Sequence, residues 1–407
     1  MDYESQRIIE ALRSGVSSRA VGHYFSSARP EIMSHISRKL NKLCDLGESS
    51  GMIISGKYGE GKTHLLNTVF NMAHENNMVV SQISLSKETP FDKLNLVYKK
   101  LLSNTYLPNR LQPGFRSAFQ NMTPNSKEAS DLLLFASKHL ENDKLFFVLR
   151  SFLNVDDAEE RFSLMADLEG DYINNALLRQ IYKRIFTQPA KFNVPFSKTK
   201  HSMDYFTLIS HLFKLMGYNG WVLLFDEAEL LGRLGKKTRL TAYKNMAPFL
   251  FPEKYSHLES VFSMFAMSSS FMEDVIESKH DFDSISETFV DKASREPAEK
   301  VLKQIAEAPQ LHPLTQDEIL TVFQKVLEFH AKAYDWNPEI NVQTLLKVTS
   351  SRGYLLRTRI RAAVEQLDQI YQYGQTGEIQ VINLVQPKYS EEEVPSLEEF
   401  IPTDRTL

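Results

Sequence analysis

One short run, Gly56-Lys57-Tyr58-Gly59-Glu60-Gly61-Lys62-Thr63, constrains this chain more than any other stretch. It fits the pattern G-x-x-x-x-G-K-[ST], whose small residues let the backbone curl and aim successive N–H groups at phosphate oxygens. A helix leaving such a loop adds the positive end of its dipole. In this pattern Lys62 reaches the β- and γ-phosphates and the Thr63 hydroxyl ligates Mg2+. The flanks agree. Met52-Ile53-Ile54 reads as a short buried strand, and Leu65, Leu66, Val69 and Phe70 fall on one helix face. Strand, glycine loop and helix together predict a bound nucleoside triphosphate. Its contacts would come from Gly56, Tyr58, Gly59, Glu60, Gly61, Lys62, Thr63 and His64. His64 reads as a helix-start residue rather than an acid–base group.

A second segment supplies the acid half of a site. Trp221-Val222-Leu223-Leu224-Phe225 is a continuous apolar run, as a central parallel strand covered on both faces requires. It ends at Asp226-Glu227, and open α/β sheets place their ligands at such strand ends. An aspartate there holds Mg2+, and a neighbouring glutamate orients or deprotonates the attacking water. Hydrolysis of ATP is therefore expected, with Lys62 and Glu227 catalytic and Thr63 and Asp226 on the metal. A further strand, Val261 to Ala266, ends at Ser268-Ser269-Ser270. A hydroxyl there, Ser268 or Ser269 first, is expected to sense the γ-phosphate or position water; the alternative is a serine-rich turn.

Arg357 and Arg361 stand one turn apart and share a helix face. Arg357 is expected to report the γ-phosphate, while the alternative pairs Arg361 with Glu365 at the surface. Arg233, Arg239 and Arg295 are candidates for an arginine finger reaching a neighbouring subunit. Lys183-Arg184, Lys191, Lys198 and Lys200 form one basic segment, and Lys236-Lys237 with Arg239 another. Each is either a solvated loop or a contact to nucleic-acid phosphates.

Alternating strands and helices around a phosphate loop imply an α/β fold with a three-layer core and a mostly parallel sheet. The expected order is a helical segment at 1–50, core at 51–103 and 217–313, a helical insert at 104–216, a helical lid at 314–388 and a mobile acidic tail at 389–407. In the lid, Thr315 and Glu318 have the spacing of a capping box. A chain of 407 residues can hold two or three cores. The net charge of −4 gives no global sign of nucleic-acid binding. A lone cysteine, Cys44, excludes an internal disulfide and fits a reducing cytosol. The start lacks a signal segment and no apolar stretch approaches bilayer length, so a cytoplasmic protein without a membrane segment is expected.

This order of motifs resembles the AAA+ superfamily, and the segment Leu311 to Glu318 is similar to the lid junction of initiator-type and STAND-type ATPases. Within that group the chain resembles the ATP-binding proteins of bacteriophage exclusion (BREX) defence systems. The resemblance rests on Ile9 to Val16, on Tyr58 to His64, on Asp226-Glu227-Ala228-Glu229, and on Arg357 with Arg361 to Asp368. It implies an ATPase working with other defence-system proteins, with a homo-oligomer or DNA as further possible partners. It also implies that Val21 and Gly22 lie near the adenine. The alternatives are a nucleotide-gated scaffold with little turnover and an initiator-like DNA-remodelling ATPase.

Overall fold

The computed structural model of the chain describes residues 2–15, 18–25, 29–110, 112–119, 122–350 and 355–374. The expected tail at 389–407 and the last part of the expected lid lie outside them. Helices α1 (Tyr3–Ser14), α2 (Arg19–Tyr24) and α3 (Pro30–Leu46) precede strand β1 (Ser50–Gly56). Helix α4 (Lys62–Glu75) leaves the glycine loop, followed by β2 (Met78–Ser84), α5 (Leu94–Ser103) and the short strand β3 (Thr105–Tyr106). Five helices then fill the chain up to β4 (Gly220–Asp226): α6 (Lys127–His139), α7 (Lys144–Asn154), α8 (Ala158–Ala166), α9 (Asn175–Phe186) and α10 (Ser202–Leu215). After β4 come α11 (Lys236–Leu250), α12 (Pro252–Tyr255), β5 (Val261–Ser268), α13 (Asp281–Thr288) and α14 (Lys292–Ala306). Helices α15 (Gln316–Tyr334), α16 (Val342–Ser350) and α17 (Leu356–Tyr373) close the described chain.

The sheet runs β1-β5-β4-β2-β3, parallel except for the antiparallel edge strand β3. Successive side chains of a strand point to opposite faces, so the apolar residues divide between two cores. Ile53, Val79, Leu223 and Phe265 meet Leu101 of α5, Phe206 of α10, Tyr243 of α11 and Val301 of α14. Met52, Ile54, Val80, Val222 and Met264 meet Leu40 of α3 and Leu66 and Val69 of α4. Helices on both faces make three layers, and β4 is buried along its whole length. Beyond β1, Ser55 donates its N–H to the Pro309 carbonyl (2.9 Å) and Leu311 donates to the Ser55 carbonyl (2.7 Å). The chain leaves the sheet there for the lid helices.

A third core holds the N-terminal helices against that lid. Ile8, Ile9 and Leu12 of α1 and Val21 of α2 pack with Phe323, Val326, Leu345, Val364 and Leu367. Helix α3 instead lies on the sheet through Ile36, Leu40 and Leu43. The residues grouped as one segment at 1–50 therefore serve two cores. Helix α5 begins only at Leu94; before it the Phe91 ring fills the space between Phe225, Phe249 and Phe265 at centroid distances of 5.3, 5.7 and 5.4 Å. The capping box forms as expected, with Thr315 and Glu318 bonding reciprocally at the start of α15.

Between β3 and β4 the helices enclose charge. Lys144 and Asp167 pair at 2.6 Å with almost no exposure, and Tyr205 donates to Asp167 at 2.7 Å. Asp204, at the start of α10, accepts the N–H groups of Glu141 and Asn142 at 3.0 Å each. Burial nevertheless pushes its carboxyl from 3.8 up to about 6. The folded state thus holds this proton more tightly than the unfolded chain does. The resulting stabilisation is complete below pH 3.8 and is lost as the pH rises through about 6. Thermal melts of Asp204→Asn and wild type should show the variant gaining on the wild type as pH climbs through that window. A difference that stays flat would contradict it.

Candidate functional site

The glycine loop sits at the C-terminal edge of the sheet because β1 ends there. Gly61 has a φ of +92°, a conformation that a side chain resists, and it turns the chain into α4. Lys57 donates its N–H to Glu60 Oε2 at 2.6 Å, which closes the loop on itself. The Lys62 side chain is buried, and its ammonium donates to the carbonyls of Gly56 (2.9 Å) and Lys57 (3.4 Å). Thr63 Oγ1 donates to Asp226 Oδ2 at 2.6 Å, joining the loop to the end of β4. The other Asp226 oxygen accepts the Glu227 N–H at 2.9 Å. Glu227 takes a φ of +55°, and burial together with the Asp226 charge raises its carboxyl. A left-handed backbone at a non-glycine residue costs energy and clusters at functional sites.

Glu60, Gly61, Lys62, Thr63, Asp226 and Glu227 line one cavity of about 220 Å³, together with Val21, Phe25, Arg29, Glu229, Leu314 and Arg357. The whole of Tyr58 to His64 is on its wall, as are Asp226 and Glu227. Arg357 faces the loop from α17, its guanidinium 5.6 Å from the Tyr58 ring centre and 3.4 Å from the hydroxyl. Burial lowers the His64 imidazole, and Nε2 lies 3.0 Å from the Phe25 carbonyl, so the neutral ring donates there. It ties α4 to the end of α2.

Three expected contacts stand behind the wall. Gly22 packs on α4, where a Cβ would come within 2.9 Å of the Asn67 carbonyl carbon, and its own carbonyl accepts from Thr68 at 3.1 Å. Gly56 pairs with Ser268 across the parallel ladder, and the Ser268 hydroxyl lies 3.1 Å from that of Ser270. Arg361 donates to the Arg13 carbonyl at 3.2 Å.

The arginine-finger expectation fails for Arg239. It is 1% exposed and grips Asp281 with two hydrogen bonds of 2.9 and 2.8 Å. Tyr243 donates to the same carboxylate at 2.9 Å. Arg295 is turned onto the carbonyls of Phe289 and Val290. In the basic segments, Lys236 pairs with Glu287 and Arg184 with Glu160. Lys183, Lys191, Lys198 and Lys200 are exposed.

Two residues of the wall were not legible as site residues. Arg29 holds the loop to the lid junction through the carbonyls of Glu60 and His312, while its N–H donates to Glu318 Oε1 at 2.8 Å. Desolvation lowers its guanidinium from the usual value. Pro30 signals a helix start, but no pattern marks the arginine before it. Glu229 follows the acid pair on a 3₁₀ turn, Ala228–Arg233, and carries a buried, unbonded oxygen.

The donor chemistry fits Mg2+. Thr63 and Asp226 bring two hard oxygens together, whereas no group of three His, Cys, Asp or Glu able to hold a metal exists among the described residues. An ion that takes few protein ligands and completes its shell from phosphate and water suits that set.

The chain matches the family model of the BREX system ATP-binding proteins BrxC/D over residues 2–122 and 195–386. It belongs to that family. The chain is thus an ATP-binding protein of a BREX defence system, and the family match skips 123–194, where α6 to α9 lie. Among solved structures it is similar to the Walker-type ATPase PABY2304 of Pyrococcus abyssi, with a TM-score of 0.35 and 12% identity over 84% of this chain and 67% of that one. A comparison with curated proteins finds no match. Among the described residues no helix is long and apolar enough to cross a membrane.

Removing one member of a buried ion pair leaves the other uncompensated, at a cost of about 3–5 kcal/mol. Arg239→Ala should therefore lower unfolding free energy in a denaturant titration by about that amount. An Arg239→Ala protein as stable as wild type would contradict the assignment of Arg239 to structure.

Proposed function

We propose that the chain hydrolyses ATP in this cavity and that nucleotide occupancy sets the lid, making it an ATP-driven switch within the defence complex. The observation that carries this reading is the meeting of Lys62, Thr63, Asp226 and Glu227, from two distant motifs, around one cavity that Arg357 also lines. Loop amides and the Lys62 ammonium neutralise phosphate charge. Thr63 and Asp226 would hold Mg2+, which when bound neutralises charge on the β- and γ-oxygens. Glu227 orients the attacking water and receives its proton. Phosphoryl transfer chiefly needs positioning and charge stabilisation, which these groups supply.

The far end of the cavity is apolar, lined by Leu12, Val21, Phe25, Leu314 and Val322, and suits a purine base. Gly22 acts there by seating α2 on α4, and Ser268 by supporting Gly56, rather than by touching nucleotide. Arg357 reports the γ-phosphate. Its contact with Tyr58 is long, so a terminal phosphate competes for the guanidinium against a weak partner. The protein would act in the cytoplasm with other proteins of its defence system.

Equilibrium binding and phosphate-release assays test this reading. Lys62→Ala should weaken ATP binding by about 30-fold or more, the loss expected when a desolvated charge partner is truncated. Glu227→Gln should bind ATP normally but turn over about 10²-fold more slowly or worse. Unchanged binding in the first variant, or unchanged turnover in the second, would overturn the corresponding assignment.

A further inference from the structure

From Tyr172 to Met203 the chain carries no aspartate or glutamate, yet it carries Arg179, Lys183, Arg184, Lys191, Lys198 and Lys200. With 51 acidic residues among 407, a run of that length would hold about four at the chain's average. None of these residues lines the nucleotide cavity, and most of the run falls in 123–194, which the family match skips, so ATP binding does not explain it. The run forms helix α9 and the loop returning from it, and their packing brings the charges together. Leu178, Ile181 and Tyr182 are the buried face of α9, which leaves Arg179 and Lys183 exposed one turn apart on another face. Phe147 of α7 packs against both Tyr182 and Phe192, at centroid distances of 5.0 and 5.3 Å, and the Arg179 guanidinium covers the Phe192 ring at 4.8 Å. Lys191 is thereby held beside α9. Further along, Asn142 donates to the Val194 carbonyl at 2.8 Å. Ser197 donates its N–H to His201 Nδ1 at 3.0 Å and accepts the His201 N–H at 2.9 Å, closing a turn around Lys198 and Lys200.

The acids that approach this surface are already engaged. Glu160 pairs with Arg184, Asp143 accepts the Asn193 N–H at 2.9 Å, and Asp204 is buried against backbone N–H groups. Glu141 stands near His201 and bounds the surface at the Lys200 end. Arg179, Lys183, Lys191, Lys198 and Lys200 are all exposed, and none pairs with a carboxylate among the described residues. A merely solvated loop tolerates acids among its lysines, whereas a held backbone bearing one sign of charge fits a polyanion. Phe186, Phe192 and Phe196 lie under Arg150, Arg179 and Lys144 at 4.4, 4.8 and 4.3 Å, so these rings are engaged within the protein rather than offered to unpaired bases. Double-stranded RNA is read largely through shape and 2′-hydroxyls, whereas lysines read charge alone. We propose that α9 and the loop to His201 form a docking surface for the phosphate backbone of duplex DNA, held through Arg179 and these four lysines without regard to sequence. This surface stands apart from the nucleotide cavity and requires no turnover of ATP.

Fluorescence anisotropy of labelled random-sequence duplex DNA, titrated with the full chain across a KCl series, tests the proposal. Five neutralised phosphates predict that log affinity falls with log salt at a slope of about −4.5. Combining Lys183→Gln, Lys191→Gln, Lys198→Gln and Lys200→Gln should shrink the slope to about −1 and weaken binding about tenfold or more at the lowest salt. Melting temperature and ATP affinity should stay near wild type. Single replacements, each shrinking the slope by about 0.9, carry the test should the combined variant fail to fold. A charge-matched control replaces Lys100, Lys237, Lys292 and Lys303, exposed on other helices, with glutamine and should bind DNA as wild type does. A wild-type protein without salt-dependent duplex binding would overturn the proposal. So would surface variants that bind as wild type, or a control that loses as much as the combined variant. Tighter binding of single-stranded DNA or of double-stranded RNA would overturn the assignment to duplex DNA.

Discussion

The parallel pairing of β1, β5 and β4 is the constraint on which the rest of the molecule depends. Its register sets Gly56 level with Ser268, and the pairing of β2 with β4 sets Ser84 level with Asp226. The glycine loop and the acid pair therefore emerge at one edge, close enough for the 2.6 Å bond from Thr63 to Asp226. A slip of β4 by one residue would reverse every side chain on it. Asp226 would turn away from Thr63, and Phe225 would face the loop in its place. The stacked rings of Phe225 and Phe265, 4.4 Å apart, and the fully buried length of β4 resist such a slip. In this fold the hydrophobic strand interiors hold the polar site in alignment.

What could be read from the sequence follows from the range of the interactions involved. The glycine loop, the strands around it and the lid capping box are local patterns, written within a few residues of where they act. The same is true of Asp226 and Glu227, which a strand end places without help from elsewhere. Allegiances between distant segments are different. The apolar faces of α1 and α3 announce two half-buried helices, yet nothing in their spacing says that one packs on the lid and the other on the sheet. Arg239 has the composition of a finger, and only the approach of Asp281 from α13 reveals it as a core residue. Arg29 joins the site through carbonyls of Glu60 and His312, which are backbone groups that leave no trace in residue identity. Gly22 is expected near the adenine and Ser268 at the γ-phosphate, but the side of the wall each occupies is set by tertiary packing.

The contacts between lid and loop are graded in strength, and the grading bears on how a switch could work. Between α1 and the lid, Arg13 grips Asp368 through bonds of 3.0 and 2.7 Å and also donates to Tyr334 at 2.8 Å. His330 reaches the same carboxylate at 3.0 Å while its other nitrogen accepts from Trp336, so α1, α15 and α17 are bound into one unit. At the cavity α17 touches the loop more lightly, through the 3.4 Å approach of Arg357 to Tyr58, while Arg29 ties the loop to the start of α15. Strong bonds among α1, α15 and α17 favour movement of these helices as one body over local distortion. Under the proposed reading, a terminal phosphate then competes with the weak Tyr58 contact for Arg357. The small change at one guanidinium would be passed intact to α1 and α15, because the charges that couple those helices are paired among themselves.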